Sequence, residues 1–296
     1  MRCQLQSYSQ SVGPPILMKC LNLGCGRRFH RDWTNIDFAP LSPNVRAYDL
    51  RRGIPFPDDT FEVVYHSHLL EHFPKHKALS FIQECYRVLS PRGTIRVAVP
   101  DLERIAQMYL QALEKALQGQ SQWRDHYEWM MLELYDQTVR EHPGGGMLEY
   151  FKRHPIPNKA FVFERIGGEA RNIIQALQTE RSQDGHQSLR LQKLIRRARY
   201  LPHIVRTRLI EKLLCRDDYK ALQIGRFRSQ GEIHQWMYDR YSLAGLLEGA
   251  GFESVVQRTA FESGIENWAQ FHLDTEPDGV VYKPDSLYME AVKPAT

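Results

Sequence analysis

An apolar run made of Ile16, Leu17, Met18, Cys20, Leu21 and Leu23 breaks at Gly24-Cys25-Gly26, and an acid, Asp37, follows eleven residues after Gly26. That spacing limits the fold of this chain more than any other feature. The run has the length of a buried strand. Glycine tolerates positive φ and, having no Cβ, lets backbone come close to a ligand. A carboxylate at the tip of the next short strand, Trp33 to Phe38, can accept two hydrogen bonds from a ribose diol. Together they describe a nucleoside site on the edge of an α/β sheet.

Dinucleotide sites use a third glycine and an acid about 20 residues on, because a full helix stands between them and its N-terminus binds pyrophosphate. Here Arg28 and Phe29 stand where further glycines belong, and Asp37 comes too early for that helix. A nicotinamide cofactor is therefore disfavoured. Ile54-Pro55-Phe56-Pro57-Asp58-Asp59-Thr60-Phe61 is a proline-punctuated turn with two aromatic anchors, and it leads into the β-branched and aromatic strand Phe61 to Tyr65. His66-Ser67-His68-Leu69-Leu70-Glu71-His72 follows at the carboxyl end of that strand, where open α/β sheets place their ligands.

From Leu21 to Asp101 the chain resembles the class I S-adenosylmethionine-dependent methyltransferases, in particular the type 11 group of small-molecule and glycan methylators. The glycine turn and Asp37 carry part of the resemblance. The segment Ile54 to Val64 carries most of it, being similar to the family pattern LPFPDxxFDxV with Glu62 in place of the usual Asp. The resemblance implies a cofactor site of Leu23, Gly24, Cys25, Gly26, Asp37, Phe38, Asp49, Leu50, Ser67 and His68. In it, Gly24 and Gly26 touch the amino-acid half of S-adenosyl-L-methionine, Asp37 takes the ribose hydroxyls, and Asp49 accepts from the adenine amine. S-adenosyl-L-homocysteine is the implied product. A Glu-His pair recurs at this place in enzymes of very different substrates, which implies a structural or cofactor-side role for Glu71 and His72.

Three imidazoles in seven residues invite a metal reading, but the spacing is not a recognised zinc pattern and no second cluster supports it, so no metal ligand is assigned. Cys3, Cys20, Cys25, Cys85 and Cys215 show neither CxxC pairs nor zinc spacing. They fit a reducing cytoplasm, with Cys25 read as a small filler rather than a reactive thiol. Met1 to Pro15 has no apolar core of the kind a secretory signal needs and reads as a loose lead-in. No apolar run approaches the length of a membrane span.

A net charge of +4 is too small to argue for nucleic acid. Its distribution is uneven: nine Lys or Arg face the single acid Glu211 between Arg190 and Arg216. Interleaved apolar residues favour a solvated amphipathic helix face over a phosphate-binding surface.

Periodicity predicts a helix from Lys77 to Leu89, stopped by Ser90-Pro91-Arg92-Gly93, then a buried strand Thr94 to Val99. Val45 to Leu50 reads as a short strand. Four helical stretches follow without convincing strands: Leu102 to Leu117, Trp123 to Val139, Gly167 to Thr179 and Leu189 to Leu214. Ser242 is the expected N-cap of a helix ending at Gly251. Strands Glu253 to Ala260 and Ser286 to Val292 complete the chain as an antiparallel pair. The expected fold is α/β, a Rossmann-like doubly wound sheet with a terminal antiparallel strand and a large helical insertion acting as a lid. Its parts are residues 1–101 and 232–296 for the core and 102–231 for the insertion.

S-adenosylmethionine is already an activated electrophile, so a protein mainly has to place a nucleophile in line with the methyl carbon and exclude water. A hydroxyl acceptor also needs a proton acceptor, for which an imidazole titrating near neutrality is suited. The candidates, in order, are His68, His234, Asp101 and His142, with Tyr238 as an orienting group. The expected reaction is methyl transfer to a hydroxyl of a sugar, glycan or small natural product. Two alternatives stay open: an RNA or protein methyltransferase using residues 190–216, and a non-catalytic scaffold that binds S-adenosylmethionine.

Overall fold

The computed structural model describes residues 18–182 and 213–295. Its strands are β1 (Cys20–Leu23), β2 (Thr34–Asp37), β3 (Val45–Ala47), β4 (Phe61–Ser67), β5 (Leu89–Pro100), β6 (Glu253–Arg258) and β7 (Ser286–Val292). They form one seven-stranded sheet in the order β3-β2-β1-β4-β5-β7-β6. The first five are parallel, and β7 runs antiparallel to both β5 and β6. This is the expected Rossmann-like α/β sheet with its terminal antiparallel strand. Chain order reverses between β1 and β4, where Leu23 stands beside His66. The carboxyl ends of those two strands therefore frame the crevice where such sheets hold ligands.

Side chains alternate across a strand, and the two faces are covered differently. Leu21, Leu23, Val64, Ile95, Val97, Val99, Leu287 and Met289 share a core with Phe81, Ile82, Cys85 and Val88 of helix α1 (Lys75–Val88) and with Leu243 and Leu247 of helix Arg240–Gly249. Each such aliphatic side chain stabilises the fold by about 1.5 to 3 kcal/mol when fully buried. On the opposite face Cys20, Val63 and Tyr65 pack against Trp33, Ile265, Trp268 and Leu273. The short β1 to β2 connection leaves no room for a helix here, and the chain after β6 covers this face instead.

A buried ion network holds that cover. Arg96 and Glu290 are directly paired across β5 and β7. Arg96 is fully buried, donates to Asp274 (2.8 Å) and Glu290 (2.7 Å), and bonds the carbonyls of Thr259 and Glu262. Tyr65 also donates to Asp274, at 2.6 Å.

Several boundaries differ from expectation for local reasons. α1 starts at Lys75, next to Pro74, and Ser90 to Gly93 does not separate helix from strand. Those residues are a bulge within β5: Phe61 pairs with Leu89 but Val63 with Thr94, and Arg92 has φ +65°. β3 ends at Ala47, because Asp49 caps a 3-10 turn, Leu50–Arg52. Ser242 is not the N-cap. Asp239 caps that helix, and Ser242 completes a reciprocal capping box with it.

Between β5 and β6, α2 (Leu102–Leu117) matches its expected range. α3 (Gln122–Met131) runs on through a π turn, Leu132–Asp136. Helices Gly145–Phe151, Lys159–Ile166, Gly168–Ser182 and Arg216–Arg228 follow. Trp129, Met130, Tyr150, Phe161 and Val162 give the helical part a core of its own. The basic stretch 190–216, and the helix expected over 189–214, lie almost wholly outside the described residues. No described helix is long and apolar enough to cross a membrane.

His66 gives the core an acid-sensitive point. It is fully buried edge-on to Phe81, with a hydrogen-bond partner on neither ring nitrogen, and burial lowers its pKa to about 3. In the unfolded chain a histidine titrates near about 6.5. Between these values only the unfolded chain binds the proton, so stability present above about pH 6.5 falls by about 1.4 kcal/mol per pH unit on acidification. His66→Leu is expected to make this acid limb shallower by that amount in denaturant titrations at stepped pH, with the rest carried by buried His68 and His234. Parallel limbs in the two proteins would show that His66 is not the group responsible.

Candidate active site

The glycine turn is built by short-range polar contacts. Gly24 and Gly26 have φ of +62° and +52°, and a Cβ on Gly24 would lie 2.7 Å from Leu69. Beneath the turn, buried Asn22 donates from Nδ2 to the Arg28 carbonyl (3.0 Å) and to Asn35 Oδ1 (3.3 Å). The Gly26 N–H donates to Asp37 Oδ2 and the Ala39 N–H to Asp37 Oδ1, each at 2.8 Å. Arg28 pairs with Glu276 (2.8 Å) and lies 3.9 Å from the Tyr282 ring centre, fastening the turn to the chain after β6.

A cavity of about 610 Å³ opens at the crevice between β1 and β4. The turn residues Gly24 to Arg28 and the strand tip Ser67 and His68 line one side, and Met147, Leu148, Phe151, Ile166 and Ile173 of the helical part line another. His72, Glu232, His234, Glu169, Lys283 and Asp285 complete its polar wall.

Of the expected cofactor residues, Gly24, Cys25, Gly26, Ser67 and His68 line this cavity. Leu23 and Leu50 are buried in the sheet core, so their side chains face away from it, and Leu23 can serve a ligand only through its backbone. Asp37 and Phe38 stand along the β2 edge beyond the cavity lining, with Phe38 64% exposed. Each Asp37 oxygen accepts one backbone N–H, which leaves one acceptor direction apiece for a diol. The open space over Gly26 and these acceptor directions fit an adenosine-bearing cofactor.

Asp49 does not present a free acceptor. Its carboxylate grips Arg51 through two side-chain bonds of 2.8 Å each and accepts the Arg51 N–H. The Arg51 hydrogen bond holds its pKa below the usual carboxylate range. An adenine amine would have to displace that pair.

The proton-acceptor candidates divide. His68 and His234 reach the cavity; Asp101 and His142 do not. Asp101 caps α2 by accepting the Arg104 N–H (3.1 Å), and His142 is exposed beside the Pro143-Gly144 break. Tyr238 is buried with its hydroxyl unpaired, and burial raises its pKa to about 12. Cys25 is likewise raised to about 12 by burial and the Asp37 charge, which makes it a filler rather than a thiolate.

Neither His68 nor His234 is an imidazole titrating near neutrality. His68 sits at φ +51° with Nε2 2.8 Å from Ser286 Oγ and Nδ1 3.4 Å from Glu71 Oε1. Burial, then Lys283 and the neighbouring imidazoles, hold its pKa well below the usual value; burial and His72 do the same to His234. Both are neutral, weak bases. Two carboxyls are raised into the range around neutrality: burial takes Glu71 to about 8, and burial and then Glu133 raise a group the sequence reading missed, Asp285, to about 7 against the pull of Lys283 and Arg165, with no partner on the Oδ1 of Asp285. Lys283 beside it pairs with Glu169 at 2.9 Å. Burial works against the Lys283 charge, yet Glu169 and Asp285 keep its pKa above the ordinary value.

Residues 21–97 match the family model described as a methyltransferase domain. Over those residues the chain is similar to methyltransferase domains. Comparison with curated proteins finds no match. Among solved structures, a putative methyltransferase from Haloferax volcanii, in complex with the Trm112 methyltransferase activator, shares 10% identity at TM-score 0.37, over 94% of this chain and 83% of that one. An S-adenosylmethionine-dependent methyltransferase from Archaeoglobus fulgidus shares 11% at TM-score 0.36, over 93% and 86%. One from Mesorhizobium loti shares 17% at TM-score 0.23, over 28% of this chain and 47% of that one, so the match spans about half of that relative. No residue role is carried over from any of them.

Proposed function

We propose that the chain transfers the methyl group of S-adenosylmethionine to a hydroxyl of a sugar, glycan or other small molecule. The observation that carries this reading is the cavity itself. It lies at the sheet's switch point, is bounded by the glycine turn on one side and by helices of the residue 102–231 insertion on the other, and is of a size for a small acceptor beside the methyl donor. The insertion then acts as the lid that keeps water from the sulfonium. Asp285 takes the acceptor's proton, while neutral His68 and His234 orient the groups around it. The described cysteines are free thiols, which supports a reducing, cytoplasmic setting.

Incubation with a deuterated methyl donor and a panel of hydroxylated metabolites and glycans tests the reading. Mass spectrometry should show a labelled methyl ether together with S-adenosylhomocysteine. Cofactor binding without methyl release across the panel would point instead to a binding scaffold.

Asp37→Ala is expected to weaken cofactor binding by about 1.5 to 3 kcal/mol, the range for charge-assisted hydrogen bonds. The upper part of that range applies, because Asp37 also holds the Gly26 N–H. Calorimetric titration with S-adenosylmethionine reads the effect directly. Unchanged affinity would remove Asp37 from the site.

A further inference from the structure

We propose that Glu71, His72 and His234 form a site for one divalent transition-metal ion, of the kind that imidazoles and a carboxylate bind together, on the wall of the cavity. Among the described residues, one ligand atom from each of these three lies within 4.8 Å of the others. Sequence reading set a metal aside because His66 to His72 found no second cluster nearby. The fold supplies one from a residue 162 positions beyond His72: Gln235 and Trp236 donate their N–H groups to the Glu71 carbonyl (2.7 and 3.2 Å), which brings His234 alongside.

Three features indicate a ligand rather than chance packing. First, the Glu71 side chain is fully buried and neither of its oxygens has a hydrogen-bond partner; the nearest imidazole nitrogens are His68 Nδ1 at 3.4 Å and His234 Nε2 at 3.9 Å. An unsatisfied buried carboxyl is costly, and a cation bound between these groups would satisfy it.

Second, the His72 Nδ1 lies 3.0 Å from the Ile233 carbonyl. A carbonyl only accepts, so the proton belongs on Nδ1 and the lone pair on Nε2. A carbonyl on one ring nitrogen fixes the tautomer and aims the other nitrogen at an ion, as in metal-binding imidazoles.

Third, His234 is 4% exposed with Nε2 set towards Glu71, and both imidazoles line the cavity. Ligand atoms at about 2.0 to 2.2 Å from an ion stand roughly 3.3 to 3.6 Å apart in tetrahedral geometry. The 3.9 Å between His234 Nε2 and Glu71 Oε1 needs only a slight contraction.

Two imidazoles and one carboxylate suit zinc, iron, cobalt or nickel rather than magnesium or calcium. Three protein ligands leave coordination positions open towards the cavity, as in catalytic rather than structural sites. His68, held by Ser286 and set against Glu71, is a positioning residue for the carboxylate. The inference deepens the methyl-transfer reading of the same cavity: an acceptor hydroxyl bound at an open position would lose its proton more readily. The binding claim itself does not depend on turnover.

The test strips the full-length chain with chelator and titrates it with Co²⁺, following visible absorption, then displaces the cobalt with Zn²⁺. One equivalent should bind. Glu71→Gln and His234→Ala should each lower the affinity by about 100-fold or more, and Ser286→Ala by about 10-fold, as for groups that hold a ligand in place without touching the ion. Circular dichroism checks that each variant is folded, and Ser286→Ala keeps the test open should a ligand variant not fold. Absence of stoichiometric binding to the wild-type chain, or equal binding by folded variants, overturns the site. S-adenosylmethionine titration of the stripped protein separates the two readings, since cofactor binding without metal binding refutes only this site, and cobalt binding without methyl transfer refutes only the activity.

Discussion

Asp274→Ala is expected to lower the free energy of unfolding by about 3 kcal/mol, the lower end of the range for breaking a buried ion pair, because Glu290 stays on the buried guanidinium. Arg96 and Asp274 are both almost fully buried and stand 2.8 Å apart, with Glu290 2.7 Å from the same guanidinium. Burial pushes the Asp274 carboxyl above its ordinary range, and the nearby guanidinium works against that shift. Losing Asp274 leaves Glu290 as the one carboxylate facing Arg96 among the described residues, beside the Thr259 and Glu262 carbonyls, and leaves the Tyr65 hydroxyl without its acceptor. A comparison fixes the scale. Glu103 pairs with Arg240 at 3.0 Å, but the side chains are 33% and 64% exposed. Glu103→Ala should therefore cost about 0 to 1 kcal/mol, and Tyr65→Phe about 1 kcal/mol. Urea denaturation of the three variants measures all of this. If Asp274→Ala unfolds no more readily than Glu103→Ala, the network does not hold the segment after β6 against the sheet.

What could be read from the sequence was what short spacings encode. The glycine turn and Asp37 are eleven residues apart, and α2 shows its helical period over its whole length, so both could be placed without tertiary information. Arg96 could be seen as a charge in an apolar strand, though its partners Asp274 and Glu290 could not, since nothing local marks residues 178 and 194 positions away. The same holds for His234: its meeting with Glu71 depends on backbone bonds between distant segments. Asp49 was different. Arg51 stands two residues on, and a two-residue carboxylate–guanidinium pair competes with any ligand for the same oxygens. Helices Gly145–Phe151 and Lys159–Ile166 were hidden by Pro143, Pro155 and Pro157, whose presence breaks a periodicity count over so few turns. Lys283 and Asp285 lie just before β7, where they read as strand-end polarity until the fold turns them onto the cavity.

Asp285→Asn is expected to reduce kcat by about 10² to 10⁴, the usual contribution of a positioned general base, while leaving S-adenosylmethionine affinity close to that of the wild type. In the transfer, the acceptor oxygen forms its bond to the methyl carbon as the sulfur–carbon bond breaks, the sulfonium becomes a neutral thioether, and the hydroxyl proton passes to the carboxylate. Asparagine keeps the shape and cannot take that proton. A base must be deprotonated to act, and the Asp285 pKa lies at about 7 through burial and the Glu133 charge. The wild-type rate should therefore be full above that value and fall about tenfold per unit as pH drops below it. His68 and His234, held well below the ordinary imidazole range, place no second inflection near neutrality. The Asn variant should lose the inflection along with the rate. A variant that keeps the rate but breaks at a lower pH would exclude Asp285 as proton acceptor and return that role to one of the neutral imidazoles.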